Sequence, residues 1–320
     1  MLAALKNGLR RLITRGRGLV LAYHSIHERP PPFEVWHHLH LDQFEAQIAY
    51  LARHHDCLTV PEFLAETTRG GRRAHPVAVT FDDGFANNLH LALPVLAHYR
   101  VPATFFITTG ALGGPWPLWP DGVALLLARA TVATLTWQGE HMPVATPAER
   151  TACYRVLVRT GKQLPAERRA GFLTEIAHAA GLDPAELGRD NATWSPLAWH
   201  ELATLAASPW VTIGAHTVSH PMLSALAPEA ARAEIFGSRA ALAAHGIDAG
   251  YFAYPYGGSA DFDDTHRQMA IDAGFAAAFV ADAGAVTAAT DRFRVPRLGI
   301  GSDCSLAGFR YLVSGGALSS

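Results

Sequence analysis

The sequence predicts an α/β fold built on a parallel sheet, because short apolar runs alternate with amphipathic helical segments along most of the chain. The chain has 320 residues and is 49% hydrophobic, which is enough for one large α/β domain. Several apolar runs are followed directly by His, Asp or Tyr, and in parallel barrels the carboxyl ends of the strands converge on one face. We therefore expect a distorted parallel (β/α) barrel of about seven strands.

Seven short apolar runs are the predicted strands of this barrel. In chain order they are Leu19–Tyr23, Val77–Phe81, Ala103–Ile107, Val211–Ala215, Tyr251–Tyr254, Phe275–Val280 and Arg294–Ile300. Amphipathic patterns between the runs predict the crossover helices that parallel neighbours require. In chain order these helices are Asp42–His54, Ala86–Tyr99, Pro228–His245 and Asp264–Ala273.

The alternation breaks between about residues 110 and 198. This segment opens with a Pro- and Trp-rich loop at 113–120, and helical patterns follow at Gly122–Ala130 and Pro147–Gly181. We expect a helical insertion packed on the barrel inside a single domain at 19–305. Residues 306–320 are expected to form a C-terminal tail.

The first 18 residues combine five basic side chains with leucines at helical spacing, which predicts a basic amphipathic helix. The charged residues interrupt the apolar ones, so the segment lacks the continuous apolar stretch of a signal peptide. It is either a solvated cap or a weak contact with a membrane surface. No run reaches the roughly 18 apolar residues of a membrane span. We expect a cytoplasmic protein, with peripheral membrane attachment left open.

Overall charge and cysteine content exclude other classes of protein. The formal net charge is -2, which gives no sign of a nucleic-acid partner. Three cysteines at wide spacing argue against a disulfide framework and against a cysteine zinc site, and they favour a reducing compartment.

Two adjacent carboxylates, Asp82 and Asp83, follow the predicted strand Val77–Phe81. Like charges repel and burial raises the pKa of a carboxyl group, so such a pair is unfavourable unless something uses its charge. A divalent metal bound by one carboxylate relieves the repulsion and leaves the other free as a base. Gly84 permits the chain to turn at this point. Capping of the next helix is the alternative role for an Asp here.

Two histidines, His216 and His220, follow the predicted strand Val211–Ala215 at i, i+4 spacing. If the chain turns helical there, both rings share one face. Two imidazoles and one carboxylate make a three-ligand metal site that keeps positions open for water and substrate. The sequence therefore predicts a metal-dependent hydrolase, with two surface histidines as the alternative interpretation.

The chain resembles the polysaccharide deacetylase family, also described as the NodB-homology domain or carbohydrate esterase family 4. Its matching segments are Thr80-Phe81-Asp82-Asp83-Gly84, His216-Thr217-Val218-Ser219-His220 and Tyr254-Pro255-Tyr256-Gly257. The resemblance implies a NodB-like barrel related to TIM barrels. It also implies a hydrolase that removes N-acetyl groups from an N-acetylated sugar of a polysaccharide, an oligosaccharide or a glycan precursor.

The resemblance implies a role for each matching residue. Asp83, His216 and His220 would bind a divalent metal, most commonly Zn²⁺, with Co²⁺ or Ni²⁺ as alternatives. Asp82 would be the general base for a metal-bound water that attacks the amide carbonyl. The backbone N–H of Tyr256 would stabilise the resulting oxyanion.

Two positions depart from the family pattern. Ala253 stands where many members have an Arg that orients the base, and the late strand Arg294–Ile300 lacks the histidine that serves as the acid. The segment Leu21-Ala22-Tyr23-His24-Ser25-Ile26 resembles the first strand of exopolysaccharide N-deacetylases, in which the acid histidine lies. We therefore predict His24 as the general acid and Arg297 as the cation that orients Asp82.

Aromatic residues near these motifs are candidates for contact with a sugar. Trp116, Trp119 and Tyr256 offer flat faces, with Pro255 beside Tyr256, and core packing is the alternative for the two tryptophans. A separate group of histidines is predicted to lie on a solvated helix and loop instead of binding metal. Its members are His37, His38, His40, His54 and His55.

Two other functions remain open from the sequence. The chain could be a glycan-binding or assembly protein that kept the fold and lost catalysis, or a hydrolase of another C–N amide bond. An N-acetylated glycan is the expected partner. The sequence leaves the oligomeric state open.

Overall fold

A computed structural model gives the placement of residues 17–29, 31–68, 73, 75–114, 117–164, 166–184 and 194–314, and the description below concerns these residues. Residues 1–16 of the predicted N-terminal helix lie outside them, as do Trp116 and the end of the predicted tail at 315–320.

A sheet of parallel strands forms the centre of the molecule. The strands of the whole protein are β1 Leu19–Tyr23, β2 Ser25–His27, β3 His38–His40, β4 Asp56–Cys57, β5 Pro76–Phe81, β6 Ala103–Ile107, β7 Thr134–Trp137, β8 Glu140–Pro143, β9 Val211–Ala215, β10 Tyr251–Ala253, β11 Ala277–Phe279 and β12 Leu298–Gly299. Of these, β2 pairs with β3 and β7 pairs with β8 outside the central sheet. The order across the sheet is β11-β10-β9-β6-β5-β1-β12, and β4 pairs with the start of β5. All seven predicted strands are present, and every pairing in this sheet is parallel.

The two edges of the sheet are joined through the segment that leads into β12. Val295 forms an isolated parallel bridge with Phe279 of β11, and three residues later Leu298 pairs with Leu21 of β1. Pro296 between them has no N–H to donate, which explains why β12 is shorter than the predicted strand. The sheet therefore curls into a distorted barrel.

Helices surround the barrel. They are α1 Leu41–His54, α2 Val60–Thr68, α3 Leu93–Tyr99, α4 Trp119–Arg129, α5 Pro147–Lys162, α6 Ala166–Ala179, α7 Trp199–Ala206, α8 Pro228–Ala244, α9 Asp264–Asp272 and α10 Leu306–Val313. A π-helical turn at Asn88–Ala92 precedes α3 inside the predicted helix Ala86–Tyr99. The helix α10 lies in the predicted tail and buries Phe309 completely against the barrel.

Aromatic side chains from neighbouring strands pack between the sheet and helix α1, whose Phe44 contacts Tyr23 and Phe81. Phe81 stacks on Phe105 with ring centroids 4.7 Å apart, and Tyr23 stacks on Phe81 at 5.5 Å. β1, β5 and β6 are buried along their whole length, as expected for parallel strands covered on both faces. This packing fixes the strand ends from which the site is built.

The insertion contains a β-hairpin and an apolar cluster of its own. α4, α5 and α6 pack with the antiparallel pair β7–β8, and the cluster also takes in Phe33 and Val35 from the loop between β2 and β3. The hairpin turns at Gln138 and Gly139, both with positive φ, as a two-residue type I′ turn requires. The insertion that the sequence predicts as helical therefore also contains a β-hairpin.

Candidate metal centre and active-site cavity

A cavity of about 450 Å³ opens at the carboxyl ends of the barrel strands. Most of the polar residues predicted from the sequence line it, namely His24, Asp82, Asp83, His216, His220, Tyr256 and Arg297. The insertion covers one side of the cavity and contributes Leu118, Pro120, Asp121, Tyr154, Val158 and Lys162. The convergence expected for a parallel barrel is present.

Asp83, His216 and His220 bring three ligand atoms together at the base of this cavity. Asp83 Oδ1 lies 3.6 Å from His216 Nε2 and 3.4 Å from His220 Nε2. Two ligands about 2.0–2.1 Å from a tetrahedral ion are separated by roughly 3.3 Å, so these spacings suit a small divalent cation such as Zn²⁺. All three side chains are buried.

Hydrogen bonding leaves the ligand atoms of this group available for a cation. His216 Nδ1 donates to the Ala253 carbonyl at 2.8 Å, so Nε2 is the unprotonated nitrogen that points at Asp83. Asp83 Oδ1 is buried and makes no hydrogen bond with the described residues. Burial and the nearby Asp82 carboxylate raise the pKa of Asp83 well above its usual range. A buried, unpaired carboxylate oxygen facing two imidazoles fits a metal ligand set.

The two histidines converge through a tight turn, and not through the helical turn that the sequence analysis considered as a condition. Thr217 and His220 both have positive φ, at 65° and 54°, and the Thr217 hydroxyl accepts a hydrogen bond from the His220 N–H. Glu234 of α8 accepts bonds at 2.8 Å from the N–H groups of Val218 and Ser219. Glu234 therefore holds the turn in the conformation that aims both rings at Asp83.

Left-handed backbone is concentrated around this site. Asp83 has φ of 77° and Tyr256 has φ of 60°, in addition to Thr217 and His220. A residue with a side chain loses about 1–2 kcal/mol in this conformation relative to right-handed backbone. Such strain clusters at functional sites because the surrounding structure must hold it in place.

Asp82 is held by a buried bidentate ion pair with Arg297. Its two oxygens lie 2.6 and 2.7 Å from the two terminal nitrogens of the guanidinium, and Arg297 is 2% exposed. Arg297 also donates to the Thr80 hydroxyl and the Val280 carbonyl. Burial alone would raise the pKa of Asp82, but the charge and hydrogen bonds of Arg297 outweigh it and lower the pKa well below the usual value. Asp82 therefore stays ionised, and Arg297 lies where it was predicted.

His24 lies at the end of β1 and lines the cavity beside the carboxylates. Its ring contacts Trp36 and His37, with centroids 5.4 and 5.7 Å away. Its Nδ1 is buried without a hydrogen-bond partner among the described residues. Desolvation lowers the pKa of His24 to about 3, although the negative charge of Asp82 acts to raise it.

Of the aromatic residues predicted to contact a sugar, some line the cavity and others are buried elsewhere. Tyr256 lines the cavity, with its ring edge on His220 at 4.8 Å. Trp119 is buried in the apolar cluster of the insertion, and its indole N–H donates to the Tyr256 hydroxyl at 3.1 Å. Trp119 therefore supports Tyr256 and does not offer a face to a ligand, which corrects the prediction. Pro255 is buried and is not part of the cavity wall.

Several residues around the cavity could not be recognised from the sequence. Trp36 lines the mouth and is 45% exposed. Lys162 of α5 pairs with Asp261 at 2.5 Å, and its ammonium lies 4.4 Å from the centroid of the Tyr256 ring. These residues come from the insertion and from loops, where no local pattern marks them as parts of a site.

The histidine group predicted to be solvated divides into two parts. His40 caps the amino end of α1, and His54 and His55 lie at its other end. His37 and His38 instead bind one buried carboxylate, Asp121 Oδ1, at 2.9 and 2.7 Å. The prediction was wrong for His38, which is 1% exposed, because Asp121 lies 83 positions away in the insertion.

Comparison with known proteins identifies the family. The family model described as polysaccharide deacetylase matches residues 69–154 and 174–278, more than half of the chain. The chain belongs to the polysaccharide deacetylase family. The family resemblance inferred from the Asp-Asp and His-x-x-x-His motifs is confirmed.

Individual relatives agree with the family assignment. Over 73 residues the chain is 41% identical to a poly-beta-1,6-N-acetyl-D-glucosamine N-deacetylase of Staphylococcus aureus, a match that spans 22% of this chain and 25% of the relative. The deacetylase PplD of Streptococcus pyogenes, solved in complex with acetate, aligns with a TM-score of 0.61 at 17% identity over 93% of this chain and 98% of PplD. IcaB from Ammonifex degensii aligns at 0.59 with 19% identity over 93% and 96%. These structures share the predicted fold.

The described residues include no helix that is long and apolar enough to cross a membrane.

Proposed function

We propose that this protein is a metal-dependent N-deacetylase that acts on an N-acetylated polysaccharide of the exopolysaccharide type. The observation that supports this most directly is the contrast between two neighbouring carboxylates. Asp82 is paired with Arg297 and stays ionised, whereas Asp83 is unpaired and faces two imidazoles. When the surroundings of two neighbouring carboxylates give them different pKa values, the two commonly have different roles in the reaction.

Asp83, His216 and His220 would hold the metal, most suitably Zn²⁺, with Co²⁺ or Ni²⁺ as alternatives. A divalent cation there would polarise the acetamide carbonyl and acidify a nearby water. The three neutral or anionic ligands leave positions open for these groups, as in other catalytic zinc sites.

Asp82 is positioned to accept a proton next to this centre. Its Oδ2 lies 4.0 Å from His216 Nε2, so a water near the three ligands is within its reach. Arg297 fixes both oxygens and prevents the carboxylate from rotating away. Asp82 takes the proton of the attacking water, and its low pKa keeps it in the required ionised form.

Two further groups complete the reaction. The Tyr256 N–H, at a turn with φ of 60°, stabilises the oxyanion that forms at the former carbonyl. His24 gives a proton to the nitrogen as the C–N bond breaks, which releases the sugar as an amine. Trp36, exposed at the cavity mouth, provides the flat apolar face for a neighbouring sugar ring that was predicted for Trp119.

Acetate release tests this function. The purified protein is incubated with β-1,6- and β-1,4-linked N-acetylglucosamine oligomers in the presence of Zn²⁺, Co²⁺ or Ni²⁺, before and after chelation. We expect metal-dependent release with a preference for the β-1,6 linkage. Asp82→Asn should bind metal normally and lose about 10²–10⁴-fold in kcat. His216→Ala should lose metal and activity together.

Three outcomes would contradict the proposal. They are acetate release that survives chelation, an Asp82→Asn variant as active as the parent, and oligomer binding without any acetate release. The last outcome would indicate a glycan-binding protein.

A further inference from the structure

A second group of titratable side chains lies beside the cavity and has no part in the reaction described so far. Asp121, in the first turn of α4, is 1% exposed and accepts hydrogen bonds from His37, which ends the loop before β3, and from His38, the first residue of β3. Of these histidines, His37 faces the cavity, whereas His38 points away from it and its side chain is fully buried. His37 and Asp121 both line the cavity, so the group connects the insertion to the reaction space through these two residues.

Hydrogen bonding explains this group better than a metal does. The ligand atoms of His37, His38 and Asp121 lie close enough to hold a cation. However, both imidazole nitrogens lie at hydrogen-bond length from the same Asp121 oxygen, at 2.9 and 2.7 Å. In the Asp83 group the corresponding distances are 3.4 and 3.6 Å, which leaves space for an ion. Asp121 is thus a carboxylate that orients two imidazoles.

His24 Nδ1 has no hydrogen-bond partner among the described residues, and desolvation disfavours the charged form of the ring. The charged or titratable groups around it are Asp82, Arg297, His216, His220 and His37. Asp82 and Arg297 bind each other, and His216 and His220 belong to the metal ligand set. His37 is the imidazole whose ring contacts that of His24, with centroids 5.7 Å apart.

We propose that His37 and Asp121 form a relay that resupplies His24 with the proton it gives to the leaving amine. This inference rests on the proposed function and adds a role for the insertion to it. As the amide C–N bond breaks, its electron pair goes to nitrogen, which takes the proton of His24. His24 then takes a proton from His37, and His37 takes one from solvent at the cavity. The Asp121 carboxylate stabilises the imidazolium of His37 while it holds this proton.

Adjacent histidines provide a matched pair of variants. Glutamine keeps a nitrogen donor near the position of Nε2 but does not carry a proton, so His37→Gln and His38→Gln both retain the bond to Asp121. We expect His37→Gln to lose about 10–100-fold in kcat, with the metal content and KM of the parent. His38→Gln, which changes a histidine outside the cavity, should keep the kcat of the parent. Equal losses in both variants would indicate a structural role and overturn the relay.

Chemical rescue separates proton transfer from positioning. His37→Ala should regain activity when imidazole is added, because free imidazole can occupy the space and carry the proton. The absence of rescue would contradict the relay.

The metal content of the variants and the activity of the parent protein complete the test. We expect one equivalent of Zn²⁺ per chain in the parent and in Asp121→Asn. Two equivalents in the parent, with one lost in Asp121→Asn, would mean that the group binds a cation and would overturn the relay. If the parent releases no acetate, the proposed function fails. If the parent is active and His37→Gln equals it, the relay alone fails.

Discussion

Replacing Arg297 by Met should leave the Asp82 carboxylate buried without its partner. Removing one member of a buried ion pair costs about 3–5 kcal/mol of unfolding free energy. Asp82 can limit this loss by taking a proton. For a carboxyl group with an unfolded-state pKa of about 3.9, protonation at pH 7 costs about 4 kcal/mol. We therefore expect Arg297→Met to be destabilised by about 3–4 kcal/mol at pH 7.

The pH dependence of this loss follows from the sign of the pKa shifts. In the parent the pKa of Asp82 is lowered, so its stabilising contribution is complete above about pH 4 and is lost only in stronger acid. Arg297→Met removes the guanidinium that opposes burial, and burial, the largest effect on this carboxyl group, then raises the pKa of Asp82. The folded variant then binds a proton that the unfolded chain releases, and its stability falls by about 1.4 kcal/mol per pH unit between pH 5 and 7.

Urea denaturation of the chelated protein at pH 5, 6 and 7 measures both quantities. Arg294→Met is the matched control, because Arg294 forms an exposed pair with Asp264 and should cost less than about 1 kcal/mol. In the double variant Asp82→Asn with Arg297→Met, the additional pH dependence should disappear. A loss below 1 kcal/mol for Arg297→Met, or the same pH slope as the parent, would refute the assigned electrostatics.

Two further predictions concern the turn and the cavity mouth. Glu234→Ala should weaken metal affinity about 10–100-fold in competition with a chromogenic chelator, because the turn between the two ligand histidines loses its acceptor. Glu229→Ala, at an exposed position of the same helix, should keep the parent affinity. Trp36→Ala should raise KM for N-acetylglucosamine oligomers about tenfold, equivalent to about 1.4 kcal/mol, while Trp36→Phe retains most of the affinity. Tyr311→Ala, which removes another exposed aromatic, is the control, and a parent-like KM for Trp36→Ala would exclude a sugar contact.

The functional residues at the strand ends could be predicted from the sequence, because their placement depends on a local pattern. Each apolar run ends in a turn, and the residue at that point reaches the common rim whatever the rest of the chain does. His24, Asp82 and His216 were found in this way, whereas Arg297 lies inside the last predicted strand and was proposed from the departure from the family pattern. The length of the last strand could not be predicted in the same way, because Pro296 interrupts its ladder of hydrogen bonds.

Contacts between distant segments could not be predicted in the same way. Asp121 meets His37 and His38 only because the insertion folds back over the loop before β3. The indole of Trp119 finds the Tyr256 hydroxyl across 137 positions. Local propensity contains no information on such pairs, so a histidine that appears solvated in sequence can be buried in the fold.

The left-handed residues around the metal centre have a consequence for design. Asp83 and His220 hold conformations that glycine would adopt at lower cost, yet both supply ligand atoms. A procedure that selects sequences for thermal resistance alone would favour glycine or asparagine there and would delete the reactive centre while improving the scaffold. Thermostable versions of this protein should therefore be sought in substitutions on the outer helices, with the rim of the barrel kept unchanged.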